Sequence, residues 1–212
     1  MARINLGRDL GHMIDFEAIP KNAIIIDAGV CKGDFIDELD NRLDIKKFTI
    51  IGFEPSITNI EFVRSKFKNN KNIHLEDKAI VGKDFPNTIK FYEYRNAGLE
   101  EWGNVMGLYQ DSAKQKNATQ IEYSVETITI EKIFNLYDIP HIDYLKMDIE
   151  GTEFNLVETL TQETANKINQ LSMEVHEDSN DAKKNKEAIM NNLIKLGFDV
   201  HFELGELYGC RK

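Results

Sequence analysis

The sequence predicts an α/β fold built on a doubly wound, mostly parallel sheet, and three observations predict it. Short apolar runs rich in β-branched residues alternate with longer segments whose apolar residues recur every three or four positions. The first run, residues 23–26, reads Ala-Ile-Ile-Ile, the composition of a strand buried on both faces. At or just past the ends of the runs stand Asp27, Glu54, Asp77, Asp148 and His176, where an open α/β sheet presents its ligand-binding edge.

After Asp27 a glycine-bearing turn leads into a helix with Ile36, Leu39 and Leu43 on one stripe. Residues 48–53 form a second strand ending at Glu54-Pro55, and Ile60, Val63 and Phe67 mark one face of a second helix. Arg64, Lys66, Lys68 and Lys71 crowd that helix and its exit, and read as a solvated outer face rather than a nucleic-acid patch. A third strand over 72–76 continues through Ala79-Ile80-Val81, which completes an alternation that implies right-handed crossovers.

Between 84 and 128 the period changes. Alternating segments at 88–92 and 121–125 surround a polar stretch holding Asn96, Gly98, Trp102, Gly103 and Asn104, which reads as an inserted hairpin or lid with too few apolar residues for a core of its own. Trp102 suits either stacking on an apolar sugar face or the packing of that lid. Ile130, Ile133, Phe134 and Tyr137 then give a helix stopped by Pro140. A strand over 142–147 ends at Asp148, Gly151 opens a helix carrying Phe154, Val157 and Leu160, and a strand over 171–175 ends at His176. A last helix carries Ile189, Leu193 and Leu196, and strands at 198–202 and 207–210 flank Glu203-Leu204-Gly205-Glu206 as a closing antiparallel hairpin. The expected layout is one domain over 23–212 with 84–128 as its insertion. Before it, residues 1–22 carry Leu6, Leu10, Ile14 and Ile19 as a helical stripe suited to packing on the sheet or on a second subunit of a homo-oligomer.

Composition narrows the function. The chain holds 26 basic and 36 acidic residues in 212, a net charge of −10, which disfavours a nucleic-acid partner because such partners are met by basic surfaces. Its 42% apolar residues supply a core, and 4 prolines with 13 glycines exclude a linker-rich chain. Cys31 and Cys210, the only cysteines, have no zinc or disulfide spacing, so a reducing cytoplasmic setting is expected. No secretory leader or membrane span is evident, and the glycosylation triplet Asn117-Ala118-Thr119 therefore reads as chance.

The first turn, residues 27–33, has its glycines at Gly29 and Gly33, a Gly-x-x-x-Gly spacing that begins with a carboxylate. An aspartate there repels a pyrophosphate and attracts a cation, which favours S-adenosylmethionine over NAD. Glycine at these points lets the backbone bend and approach a ligand. Glu54, at the end of the second strand, can accept both hydroxyls of a ribose, a feature that either cofactor would use. Asp77 suits a hydrogen bond from an adenine amino group, or a solvated loop.

The runs 24–33, Gly52-Phe53-Glu54-Pro55, Ala79-Ile80-Val81-Gly82 and, most specifically, 144–153 (Tyr-Leu-Lys-Met-Asp-Ile-Glu-Gly-Thr-Glu) resemble the FkbM-type class I methyltransferases over roughly residues 23–202. The resemblance implies a Rossmann-like seven-stranded sheet whose last strand inserts antiparallel. It also implies S-adenosylmethionine-dependent O-methylation of sugar, glycan or metabolite hydroxyls. Carried onto this chain, Asp27, Gly29 and Gly33 hold the methionine part and its surroundings, Glu54 the ribose and Asp77 an adenine contact, with Ala28, Pro55 and Ala79 also in the cofactor-binding set. Residues 95–110 depart from the family pattern, with Leu99-Glu100-Glu101-Trp102 where a small, serine-rich segment is expected.

Methyl transfer to oxygen needs an aligned acceptor and a base for its proton. Alternation along the strands puts Lys146, Asp148 and, by extension, Glu150 on one face, and Glu174 with His176 on another strand's. The candidate catalytic set is therefore Asp148, His176, Glu150 and Glu174, with His176 as proton acceptor by virtue of its ordinary pKa near ~6.5. Each has a plainer use: His176 as a structural histidine, Glu150 as a helix cap, Lys146 as the partner of an acid. A divalent metal held by Asp148, Glu174 and His176 is a disfavoured alternative, because a cationic cofactor also explains clustered carboxylates. The rival functions are a non-catalytic cofactor-binding partner subunit and an NAD-dependent oxidoreductase.

Overall fold

A computed structural model describes residues 12–96, 105–107, 118–149, 151–175, 182–203 and 205–211. In chain order the first half comprises β1 (Ile24–Ala28), α1 (Asp34–Arg42), β2 (Thr49–Phe53), α2 (Ile57–Lys66), β3 (Ile73–Glu76) and β4 (Lys78–Ile80). The middle comprises β5 (Thr88–Asn96), β6 (Val105–Gly107), β7 (Ala118–Ile128) and α3 (Ile130–Tyr137). The remainder comprises β8 (Ile142–Met147), α4 (Glu153–Thr159), α5 (Gln162–Ala165), β9 (Ile168–Glu174), α6 (Ala182–Lys195), β10 (Asp199–Glu203) and β11 (Glu206–Cys210).

Seven strands form the main sheet in the order β10-β11-β9-β8-β1-β2-β3. The pairs β1·β2, β2·β3, β1·β8 and β8·β9 are parallel, and β11 runs antiparallel to both of its neighbours. This is the doubly wound sheet with an inserted antiparallel last strand that the sequence leads one to expect. Period-two alternation divides the core: Ile26, Ile51, Leu145 and Met173 pack with Leu156 of α4 and Leu193 of α6, whereas Ile25, Ile50 and Tyr144 pack with Leu39 of α1 and Val63 of α2. Every residue of β8 is buried, Lys146 included.

The structure differs from the sequence reading after β3. Residues 78–80 do not prolong the third strand. They form β4, which leaves the main sheet and pairs in parallel with β7. With β5 and β6 they make a second sheet, order β4-β7-β5-β6, fastened by a cluster of Ala79, Val81, Phe91 and Val125. β5 and β7 pair antiparallel from Thr88↔Glu126 to Asn96↔Ala118, longer than the segments 88–92 and 121–125. Trp102, Gly98, Gly103 and Asn104 lie outside the described residues.

At the amino end, Leu6 and Leu10 also lie outside them. Ile14 and Ile19 pack against the α1/α2 face, and the helical turn described there is a 3-10 turn over Phe16–Ala18, capped by the Asp15 side chain. α3 stops before Pro140 as expected, with Asp138 in the left-handed region at φ 50°. No described helix is long and apolar enough to cross a membrane.

Candidate active site

The winding of the main sheet reverses between β1 and β8, whose carboxyl ends lie side by side with Asp27 opposite Lys146 and Ala28 opposite Met147. Beyond the strands, Asp148 N donates to Ala28 O at 2.9 Å, and Gly29 N donates across to Phe53 O of β2 at 2.9 Å. Gly29 has φ +84°, and a Cβ there would lie 1.9 Å from the Asp148 carbonyl oxygen. The glycine is thus required where two strand ends meet, not by a ligand alone. Gly33, at φ +81°, starts α1, and its missing Cβ makes room for the Phe67 ring, 2.5 Å from where that carbon would be.

Lys146 organises the centre. Its Nζ stands 3.2 Å from Asp27 Oδ1 and 4.0 Å from Asp148 Oδ2, and donates to Gly29 O at 2.5 Å. Burial by itself would favour a neutral amine, but the charges of Asp27 and Asp148 outweigh it and keep Lys146 cationic. Asp27 is completely buried, so its carboxyl rises above the ordinary value of 3.8, an effect that Lys146 only partly opposes. Apart from the Lys146 ammonium, neither Asp27 oxygen has a polar partner among the described residues. Asp148 is different: its side chain is 29% exposed, Oδ2 faces Lys146, and the buried Oδ1 has no hydrogen-bond partner among the described residues.

Glu54, just past β2, accepts hydrogen bonds from Ser56 N at Oε1 (2.8 Å) and from Cys31 N at Oε2 (2.7 Å). Burial lifts its pKa to about 7, against the pull of those two N–H groups and of Lys146. A carboxylate has about four acceptor sites, so these bonds leave capacity for two ribose hydroxyls. The turn residue between Val30 and Lys32, Cys31, has φ 51°; it is exposed at the surface, and partial burial of its thiol and the nearby Glu54 raise its pKa above the ordinary value.

The expected cofactor residues are thus brought together in part. Asp27, Gly29 and Glu54 converge at the mouth of β1 and β2, with Pro55 beside Glu54. Ala28 is buried in the core, where its carbonyl serves the β1–β8 join. Asp77 is exposed, and Arg64 Nη2 donates to its Oδ1 at 3.3 Å. Ala79 is buried in the small cluster of the second sheet. Of the catalytic set, Glu174 ends β9 opposite Glu206 of β11, one strand away from Asp148. Glu150 and His176 lie outside the described residues. Among the described residues no group of three His, Cys, Asp or Glu could hold a metal ion.

Two features escaped the sequence reading. Lys146 holds a backbone carbonyl as well as its acids, a role signalled only by a charge inside an otherwise uncharged run at 144–147. His12, buried over the same end of the sheet with Nδ1 3.4 Å from Glu206 Oε2, gave no signal, because its partner is 194 positions away.

The donor set suits a cation with a polar nucleoside: Asp148 with a buried oxygen that has no hydrogen-bond partner among the described residues, Asp27 held by one lysine already committed, and Glu54 with spare acceptor capacity. A family model described as the methyltransferase FkbM domain matches residues 27–200, most of the chain. The chain belongs to the FkbM methyltransferase family. Among solved structures, an FkbM methyltransferase from Methylobacillus flagellatus is similar, with a TM-score of 0.53 at 13% identity, over 89% of this chain and 44% of that one. This FkbM domain therefore spans less than half the length of that protein. Aeropyrum pernix fibrillarin in complex with natively bound S-adenosyl-L-methionine matches at 0.48 and 10% identity, over 93% of this chain and 70% of that one. The precorrin-6y C5,15-methyltransferase from Geobacter metallireducens matches at 0.46 and 12% identity, over 90% and 81%. A search of curated proteins found no match.

Proposed function

We propose that this FkbM domain transfers a methyl group from S-adenosylmethionine to a hydroxyl on a sugar, glycan or small metabolite. The observation that carries the reading is Asp148, a half-open carboxylate at the carboxyl end of β8 with one oxygen that has no hydrogen-bond partner among the described residues, beside the acid-first turn of β1. When bound, S-adenosylmethionine supplies an electrophilic methyl carbon on a sulfonium. Glu54 accepts its ribose hydroxyls through the lone pairs not used by Cys31 and Ser56. The Asp27–Lys146 pair fixes the Gly29 turn from beneath, so the carboxylates that face a cation are held before it arrives, which lowers the cost of ordering the site.

Lys146 does not act as the base, because its neighbours keep it protonated. The acceptor hydroxyl is oriented by Asp148, and its proton passes to a general base, a role for which His176 remains our candidate, with Glu150 and Glu174 assigned to orienting the acceptor. Asp77 is the weaker cofactor candidate, since Arg64 already takes one of its oxygens. The acceptor lies among hydroxyl compounds of modest size, in a cytoplasmic setting.

Labelled S-adenosylmethionine incubated with sugar nucleotides, free glycans and lipid-linked sugars tests this reading. Transfer to a hydroxyl of one class supports it, and transfer only to nitrogen, carbon or nucleic acid contradicts it. Asp148→Ala is expected to lower kcat at least about 100-fold while S-adenosylhomocysteine still binds, because its loss removes an acceptor-side contact. Unchanged turnover in that variant would remove Asp148 from the site.

A further inference from the structure

Glu93 stands on β5 of the second sheet and is completely buried, an expensive place for a carboxylate unless its oxygens are needed there. Tyr123 of β7 donates to it, with the phenol oxygen 3.2 Å from Oε2. Ser56 Oγ stands 3.3 Å from Oε2 and Thr58 Oγ1 3.4 Å from Oε1. The same Tyr123 oxygen accepts from Ile57 N at 3.3 Å and lies 3.5 Å from Pro55 O. Two side chains of the second sheet therefore touch each of the four consecutive residues that follow Glu54. That stretch is also the start of α2, where Ser56 Oγ accepts from Asn59 N at 3.2 Å as the helix cap.

The connection reaches the cofactor carboxylate directly, since Ser56, held by Glu93 through its hydroxyl, gives its backbone N–H to Glu54 Oε1 at 2.8 Å. We propose that Glu93, with Tyr123, is a positioning residue for cofactor binding: it fixes residues 55–58 and so aims Glu54 at the ribose. The second sheet is then a wall of the cofactor site as well as an insertion. Burial, and then the charge of Glu93, hold the Tyr123 phenol well above its ordinary pKa of 10, so the hydroxyl keeps the proton that it donates. An apolar pair would fill this space without linking the sheet to the loop.

The inference rests on the S-adenosylmethionine reading, and the test separates the two. Titration calorimetry of the full chain with S-adenosylhomocysteine would compare wild type, Glu93→Gln, Tyr123→Phe, Glu54→Gln and the Glu54→Gln/Glu93→Gln double variant, with circular dichroism as the check on folding. Glu93→Gln is expected to weaken binding about tenfold, and Tyr123→Phe about threefold. The double variant should bind no more weakly than Glu54→Gln alone, because Glu93 acts through Glu54. If Glu93→Gln does not fold, Tyr123→Phe, which removes a single oxygen, decides by the same comparison. Unchanged affinity in a folded variant, or a double variant whose loss is the product of the single losses, would overturn the inference alone. A wild type indifferent to S-adenosylhomocysteine would overturn the cofactor reading and this inference with it.

Discussion

Glu54 carries a pH dependence whose sign follows from its burial. In the fold it keeps its proton to about pH 7, whereas the unfolded chain releases it near 4.5. Between those values the unfolded state holds fewer protons, so raising the pH favours unfolding, by up to about 3 kcal/mol in total, and the effect levels off above pH 7. Asp27, raised for the same reason, adds a slope of the same sign starting from a lower pH. Urea unfolding at a series of pH values should therefore show wild-type stability falling from pH 4.5 to 7 more steeply than that of Glu54→Gln. Equal slopes would mean that Glu54 is ionised throughout. A ligand whose hydroxyls donate to Glu54 prefers the carboxylate, so its binding should draw the proton off. The carboxylates at strand ends were legible in the sequence because a sheet edge gives them position. What they do with their oxygens was not, since Cys31 N, 23 positions earlier, reaches Glu54 only after the chain has folded back on itself.

The β1 turn and the end of β8 act as one element. A side chain at position 29 meets the Asp148 carbonyl at 1.9 Å and must also adopt φ +84°, so Gly29→Ala combines a backbone clash with a strained conformation. Unfolding measured in urea should show a loss of more than about 2 kcal/mol for Gly29→Ala. The same substitution at Gly205, also at positive φ (+88°), has open space around its Cβ and should cost about 1–2 kcal/mol, from backbone strain alone. Comparable losses would show that the close approach of β1 and β8 does not matter. The glycine pair was legible as a turn, but its reason was not, because the meeting of residues 29 and 148 is a tertiary fact. β4 was misplaced on similar grounds. Residues 72–81 carry apolar positions suited to one strand interrupted at Asp77, and nothing local reveals that 78–80 pair with residues 126–128. The central strands β1, β2 and β8 were legible because nearly every residue in them is buried, on both faces, so none needs a distant partner to explain its composition.

At the scale of the molecule, the acidic balance and the site are related but not the same thing. Surface pairs such as Asp37 with Lys66 and Asp44 with Lys47 cancel within themselves, so they add nothing to the net charge of −10 and, being exposed, contribute little to stability. At the carboxyl edge of the main sheet the acids Asp27, Glu54 and Asp148 share one lysine, so that edge is short of positive charge once Glu54 gives up its proton. A cofactor carrying a sulfonium and an ammonium supplies what is missing, and a dinucleotide pyrophosphate would add to the excess. The most direct measurement is the melting temperature of the full chain with S-adenosylhomocysteine, S-adenosylmethionine or NAD, each at about 100 times a micromolar Kd. The account predicts that both adenosyl compounds stabilise the fold by about 2.7 kcal/mol, a shift of several degrees, while NAD leaves it unchanged. A rise with NAD and none with either adenosyl compound would contradict it.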